Sequence, residues 1–156
     1  MNLQIRDYAA ADRPSCLAIF DSNVPESFTL PERPEFEAFL DDLPGPYFVV
    51  TDGSGSVVAC GGYAVQPGTA RADLCWGMVV RSRQREGLGR ALTQLRLSRI
   101  VADARVTEVA LRTSHLTLSF YERFGFVVER VVPDGIASGQ DLCQLRLRIA
   151  RQKLAH

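Results

Sequence analysis

Apolar and polar residues alternate through Leu3-Gln4-Ile5-Arg6-Asp7-Tyr8, the pattern of a first strand. Asp12 then has the character of a helix N-cap, with Pro14 tolerated in the first turn of a helix carrying Leu17, Ile19 and Phe20. That helix is expected to stop near Asn23, because Pro25 disfavours helical backbone in the residue before it. Beyond the proline-punctuated connection from Asn23 to Pro34, Phe36, Phe39, Leu40 and Leu43 fall at i, i+3, i+4 and i+7. This is the core-facing stripe of a second helix, which Pro44-Gly45-Pro46 ends. Tyr47–Val50 and Val57–Val65 read as strands of a hairpin turning through Thr51-Asp52-Gly53-Ser54-Gly55. Gly61-Gly62 inside the second of them signals a bulge or a close approach of backbones. Pro67-Gly68 turns the chain into another strand over Ala72–Val80.

Helical spacing resumes at Leu88, Ala91, Leu92 and Leu95 and continues into Leu97, Ile100 and Val101. Between strand and helix lies Arg81-Ser82-Arg83-Gln84-Arg85-Glu86-Gly87-Leu88-Gly89-Arg90, with four arginines and two glycines. Such a junction gathers unpaired backbone N–H groups at the positive end of a helix dipole. It is an anion site: glycine lets a phosphate reach the backbone, and guanidinium groups offer it bidentate contact. A nucleotide P-loop is excluded by the missing Gly-Lys-Ser/Thr ending. The dinucleotide fingerprint is excluded by the missing third glycine and ribose-binding acid. Downstream, Glu108–Thr113 reads as a strand, and Leu116, Phe120 and Phe124 share one face of a short helix. Gly125 suits the left-handed position just past that helix. Val127–Val132 is a strand, Pro133-Asp134-Gly135 a turn and Leu142–Ile149 the last strand, with a frayed tail from Arg151.

Two motifs stand in this frame. Gln84, Gly87 and Gly89 spell Gln-x-x-Gly-x-Gly, and Tyr121-Glu122-Arg123-Phe124-Gly125-Phe126 spells Tyr-Glu-x-x-Gly-Phe. In their order, their separation and the β-α-α-β-β-β-α-β-α-β-β succession, the chain resembles the GNAT superfamily of N-acetyltransferases over most of its length. The resemblance implies an α+β fold with a central, mostly antiparallel mixed sheet. About seven strands would be flanked by about four helices and splayed around an acetyl-CoA site. It implies one N-acetyltransferase domain over residues 1–150 and a short tail over 151–156. The reaction implied is direct attack of a primary amine on the acetyl-CoA thioester through a tetrahedral intermediate, with no metal.

By the same resemblance, Met78, Val79 and Val80 would lie along the pantetheine arm, a backbone N–H near Val79 facing the thioester oxygen. Gln84, Arg85, Glu86, Gly87, Leu88, Gly89 and Arg90 would surround the pyrophosphate, chiefly through their amides. Tyr121 would protonate the departing thiolate, since a phenol keeps its proton at neutral pH. Asp73 is the first candidate for general base, with His115 and Glu26 behind it and ordered water as the alternative. Ser114 stands where many members carry asparagine against the pantetheine. Arg85 and Glu86 replace a frequent small-then-basic pair, and Arg123 is placed to reach the 3′-phosphate of CoA. An acyl-CoA-binding regulator without turnover is the alternative function.

Composition narrows the partners. Eighteen basic and 18 acidic residues leave a formal net charge of zero, which offers no general attraction to nucleic acid or an anionic membrane. The arginine cluster is therefore local and suits a compact anion. Cys16, Cys60, Cys75 and Cys143 are widely spaced with no Cys-x-x-Cys pair, as for buried thiols in a reducing cytoplasm. No basic-then-apolar leader pattern and no run of about 18 apolar residues occurs. The acceptor is expected to be a small-molecule or peptide amine, with Phe28 and Trp76 as an apolar wall; the chain is expected to be a monomer or homodimer.

Overall fold

The computed structural model describes residues 2–150. In chain order these form β1 (Gln4–Asp7), α1 (Arg13–Ser22), α2 (Arg33–Asp41), β2 (Tyr47–Thr51), β3 (Val57–Val65), β4 (Arg71–Val79), α3 (Leu88–Val101), β5 (Glu108–Ser114), α4 (Leu118–Glu122), β6 (Val127–Ala137) and β7 (Gln140–Arg148). The strands make a mixed seven-stranded sheet in the order β1-β2-β3-β4-β5-β7-β6. The β4–β5 pair is parallel, joining Arg71–Asp73 to Glu108–Ala110, and the helix-bearing crossover that parallel strands require is supplied by α3. This is the mixed, largely antiparallel architecture anticipated above. The seven strands of the expected succession and its four helices are all present among the described residues.

Two compact units divide the chain. Among the described residues, the first comprises the chain up to Ala64 and Leu74–Ser98. Its core is built where the helix stripes predicted it: Cys16, Leu17, Ile19 and Phe20 of α1 and Phe36 and Leu40 of α2 are buried with Tyr47, Val49, Cys60 and Met78. Leu43, expected to close the α2 stripe, lies past the helix end and packs at the margin. Asp12 departs from expectation. It sits ahead of α1 without capping it. Its carboxylate instead reaches back, bridging Arg6 on β1 at 2.8 Å through both oxygens and accepting the Ala9 amide at 2.8 Å. The Arg6 guanidinium holds this buried carboxyl below the usual carboxylate range. Gly61 and Gly62 mark a close approach: a Cβ on Gly62 would strike the Pro46 carbonyl, and one on Gly61 would lie 3.0 Å from Gly77 Cα.

Among the described residues, the second unit comprises Val65–Asp73 and the chain from Arg99 onward. β5 and β7 pair over seven residues, and alternation buries Val109 and Leu111 on β5. The expected turn at Pro133-Asp134-Gly135 is absent. β6 runs on through it to Ala137, with register breaks at Val128/Arg130 and Val132/Ala137, and the chain reverses at Gly139 (φ 78°). The reason is the strand's place at the sheet edge, where a proline deprives no ladder of a donor and a bulge is tolerated. The segment from Leu116 is also shorter than its pattern suggested. His115–Thr117 is a 3-10 turn, α4 begins at Leu118, and Leu116 is 56% exposed. Gly125 does adopt the left-handed conformation (φ 98°) past the helix end. The frayed tail from Arg151 lies outside the described residues.

Phe36 is fully buried and lies against Phe20, Phe39, Tyr47 and Trp76 at ring separations of 5.0–6.5 Å. Truncation to alanine removes the centre of this cluster. Phe36→Ala is expected to destabilise the protein by about 3–5 kcal/mol, read as the shift in a urea unfolding curve at unchanged slope.

Candidate active site

The arginine-rich loop is held from outside by four contacts, all within the first unit. Arg81–Arg83 form a 3-10 turn after β4. The Arg81 amide donates to the Ser22 hydroxyl at 3.1 Å, and its guanidinium pairs with Glu26. Arg83 bridges Asp52 in the β2–β3 turn at 3.0 Å and Glu86 at 2.9 Å. Gln84 donates to the Asn23 side-chain oxygen at 2.6 Å. Asn23, 3% exposed at the end of α1, in turn donates to the carbonyls of Ile19 at 3.0 Å and Val79 at 2.8 Å. The motif glutamine is thus an anchor, and its side chain is spent on the protein.

Beyond that anchor the loop presents backbone. Arg85 (φ 68°) and Gly87 (φ 85°) are left-handed, a conformation glycine accepts without strain and arginine does not. A Cβ on Gly87 would meet no protein atom within 4 Å, so its φ, and no crowding, is what calls for glycine. The Ala91 amide donates to the Gly87 carbonyl at 3.0 Å and opens the α3 ladder. The N–H groups of Leu88, Gly89 and Arg90 lie ahead of it, at the open end of a 14-residue helix. Of the four loop arginines, Arg81 and Arg83 are occupied by carboxylates. Arg85 and Arg90 are exposed and pair with no acid among the described residues. Glu86, expected beside the pyrophosphate, has its carboxylate held by Arg83. A donor set of helix-terminal amides and two unpaired guanidinium groups fits a pyrophosphate.

β4 approaches this loop through an irregular corner. Trp76, mid-strand, has φ 43°, outside the range a bulky residue adopts without strain. The Tyr47 hydroxyl donates to its carbonyl at 2.8 Å. Beyond the corner Met78 is buried, while the Val80 amide is taken by the Val58 carbonyl on β3 at 2.9 Å. Val80 therefore cannot offer its amide, as had been allowed for. With the Val80 amide committed to β3, strand alternation is expected to turn the Val79 N–H to the opposite edge. Phe28 and Trp76, expected as an apolar wall, lie 6.0 Å apart within a cluster that includes Phe20, Phe36 and Phe39, with Phe28, Phe39 and Trp76 half-buried.

In the second unit, Tyr121 is half-buried between Phe120 (5.0 Å) and Phe126 (6.0 Å), both edge-on. Its hydroxyl meets no hydrogen-bond partner among the described residues. Arg123 is exposed and likewise unpaired among them. Ser114 is buried and accepts the Leu116 amide at 3.2 Å, capping the 3-10 turn. One lone pair of the hydroxyl that replaces the family asparagine is thus given to the turn.

Each base candidate is engaged by its neighbours. Asp73 accepts Arg71 Nε at 2.9 Å and Gln66 Nε2 at 2.7 Å, one on each oxygen. The Arg81 guanidinium holds the Glu26 carboxyl below the usual range. His115 Nδ1 accepts the Asp141 amide at 3.0 Å, which places the proton of the neutral ring on Nε2. Asn23 and Asp52, which build the loop, were not singled out from the sequence. Their partners lie 61 and 31 residues away, and the local signal, a polar residue at a helix end or in a turn, is common to many loops.

The fold and this loop define an acyltransferase of the mixed open-sheet class. The family profile described as acetyltransferase (GNAT) domain matches residues 44–128, more than half of the chain, and the chain belongs to that family. No curated protein matches the sequence. Among solved structures, a GNAT-family protein from Desulfovibrio desulfuricans superposes with a TM-score of 0.82 at 24% identity, covering 96% of this chain and all of the other. A ribosomal-protein-alanine N-acetyltransferase from Escherichia coli gives 0.81 at 19%, over 98% of this chain and 97% of its own. An aminoglycoside 6′-N-acetyltransferase complexed with coenzyme A gives 0.76 at 15%, over 96% and 99%. Likeness at these identities is a likeness of fold.

Asn23→Ala leaves the Gln84 amide and the Val79 carbonyl short of a buried partner. It is expected to lower stability by about 2–3 kcal/mol in denaturant unfolding, with Gln84→Ala losing less. Asp52 is depressed to about 2, chiefly by the Ser54 hydroxyl, with the Ser54 and Ser56 amides and Arg83 adding to it. A depressed carboxyl stabilises the fold above its unfolded value near 3.9 and loses that contribution as pH falls through its folded value. The stability difference between the wild type and Asp52→Asn is therefore expected to hold constant above about pH 5 and to shrink from about pH 4 towards 2. Thermal unfolding across that range reads it.

Proposed function

We propose that the protein is an acetyl-CoA-dependent N-acetyltransferase that acetylates a primary amine on a small molecule or a peptide N-terminus, within one domain spanning residues 1–150. The observation that carries the reading is the loop itself: amides of Leu88, Gly89 and Arg90 at the head of α3, the left-handed pair Arg85 and Gly87, and, of the loop's four guanidinium groups, those of Arg85 and Arg90 paired with no acid among the described residues. In this reading those groups hold the CoA pyrophosphate, and Met78 and Val79 line the pantetheine arm. The Val79 N–H stabilises the oxyanion as the amine attacks, a preorganised dipole needing no rearrangement at that moment. The chemistry acetyl-CoA supplies is an activated acyl group on a good leaving thiol.

Tyr121 is proposed as the proton donor to that thiol. Its half-buried place between Phe120 and Phe126, with the hydroxyl bonded to no described residue, leaves the O–H available to a ligand. The reading assigns loss of the amine proton to water before Asp73, because protonating Asp73 would give up the ion pair with Arg71. Half-buried Phe28, Phe39 and Trp76 would favour an acceptor with an apolar portion beside its amine. The E. coli neighbour is named for an alanine acceptor and another for an aminoglycoside, so fold alone does not select between peptide and small amine.

Calorimetry against acetyl-CoA, ATP and NAD, followed by thiol release over small amines and short peptides, tests the proposal. Acetyl-CoA alone is expected to bind, with Arg85→Ala and Arg90→Ala each weakening it several-fold and flattening its salt dependence. No acetyl-CoA binding would end the reading of the loop. Tyr121→Phe is expected to lower kcat on the order of 100-fold with the acetyl-CoA dissociation constant unchanged. Binding in both forms without thiol release from any acceptor would favour a non-catalytic acyl-CoA regulator.

A further inference from the structure

α3 carries a buried stripe four residues apart: Leu88, Leu92, Arg96 and Ile100, each at most 2% exposed. One member of this stripe is a cation. Arg96 Nη1 donates to the Gly62 carbonyl at 3.2 Å and Nη2 to the Thr93 hydroxyl at 3.3 Å, while Nε is buried with no acceptor. No carboxylate pairs with it among the described residues. A desolvated guanidinium in this condition is costly, and an apolar side chain of like volume would serve the core as well or better. A buried polar group left short of partners calls for an explanation beyond packing.

The explanation lies in what the guanidinium touches. A Cβ built on Gly77 would stand 2.8 Å from Nη2 and 3.1 Å from Nη1, and one on Gly61 3.3 Å from Nη1. The flat group therefore occupies the volume that side chains on β3 and β4 would take, and it fills the space where Gly77 lacks a Cβ. Gly77 follows the strained Trp76 and precedes Met78 and Val79. The Tyr47 hydroxyl holds the Trp76 carbonyl from β2. The corner is thus gripped by a hydrogen bond at Trp76 and by a plate against Gly77, itself pinned by Gly62.

We propose that Arg96 is a positioning residue for acyl transfer: from the core side it holds the Trp76–Gly77 corner of β4 in its strained form and thereby aims the Val79 N–H. The inference rests on the role given to Val79 above. A planar fork suits this duty where an alkyl chain does not, because it can lie flush on a glycine while bonded sideways to a carbonyl. Persistence of a strained backbone requires surroundings that over-determine it, and Arg96 with Tyr47 supplies them.

Trp76 is the chain's one tryptophan, so its emission reads the corner directly. Gly77→Ala is expected to shift that emission, and Gly77→Ala combined with Arg96→Ala to bring it back towards wild type, because the new Cβ then has room. Arg96→Met is expected to keep or raise Tm, shift the emission, and lower kcat tenfold or more with KM for acetyl-CoA within twofold. If the Met variant does not fold, Arg96→Lys is read for the same split between kcat and KM. Additive emission changes in the Gly77/Arg96 cycle would overturn the proposal. So would kcat and Tm falling together with the emission unmoved, which marks a merely structural arginine. A protein without acetyl transfer would remove the role of Val79 while the emission cycle still decides whether Arg96 holds the corner.

Discussion

The carboxamide of Asn23 joins three segments far apart in sequence: α1 through Ile19, β4 through Val79 and the anion loop through Gln84. Backbone amides grip an anion well only if they are already aimed, because ordering them on binding would consume the affinity they supply. A buried amide side chain suits that task, since it both donates and accepts and suffers when either side is left unmet. Asp52 does similar work from the β2–β3 turn through Arg83. The loop is exposed and glycine-bearing, yet its path is fixed from beneath by these two residues.

The same contacts sort the charge. Four arginines in ten positions would repel one another if all faced solvent. Glu26, Asp52 and Glu86 answer Arg81 and Arg83, so the remaining positive field belongs to Arg85, Arg90 and the helix end. A chain of zero net charge can in this way present a small cationic spot without becoming a general binder of polyanions. Deeper in, the logic reverses: no carboxylate pairs with the buried Arg96 among the described residues, and its Nε has no acceptor.

How far the sequence disclosed this depends on the range of the interaction. Strands and helices followed from hydrophobic period, and the loop from glycines and a glutamine within six residues, because both signals are local. Asn23 was hidden by its distance from Gln84, and Arg96 because one arginine in an apolar stripe reads as the helix turning towards water. Asp12 looked like a cap since nothing nearby announced Arg6 as a stronger partner. Pro133 looked like a chain reversal, whereas at the outer edge of a sheet it interrupts no hydrogen bond. Ser114 and Val80 were placed by likeness to the family and Asp73 by its position on the strand before the loop, and neither route says which neighbour already holds a polar atom.

The turn from Asp52 to Ser56 has the small, polar, exposed character that usually welcomes an insertion, a tag or a new pair of termini. In this protein it does not stand apart from the site. Through Asp52 and Arg83 its geometry passes into the loop at the head of α3. Changes of length in this hairpin tip therefore act on the candidate cofactor grip at a distance. The length of one surface turn is thereby tied, through a single ion pair, to the shape of the loop that faces the ligand.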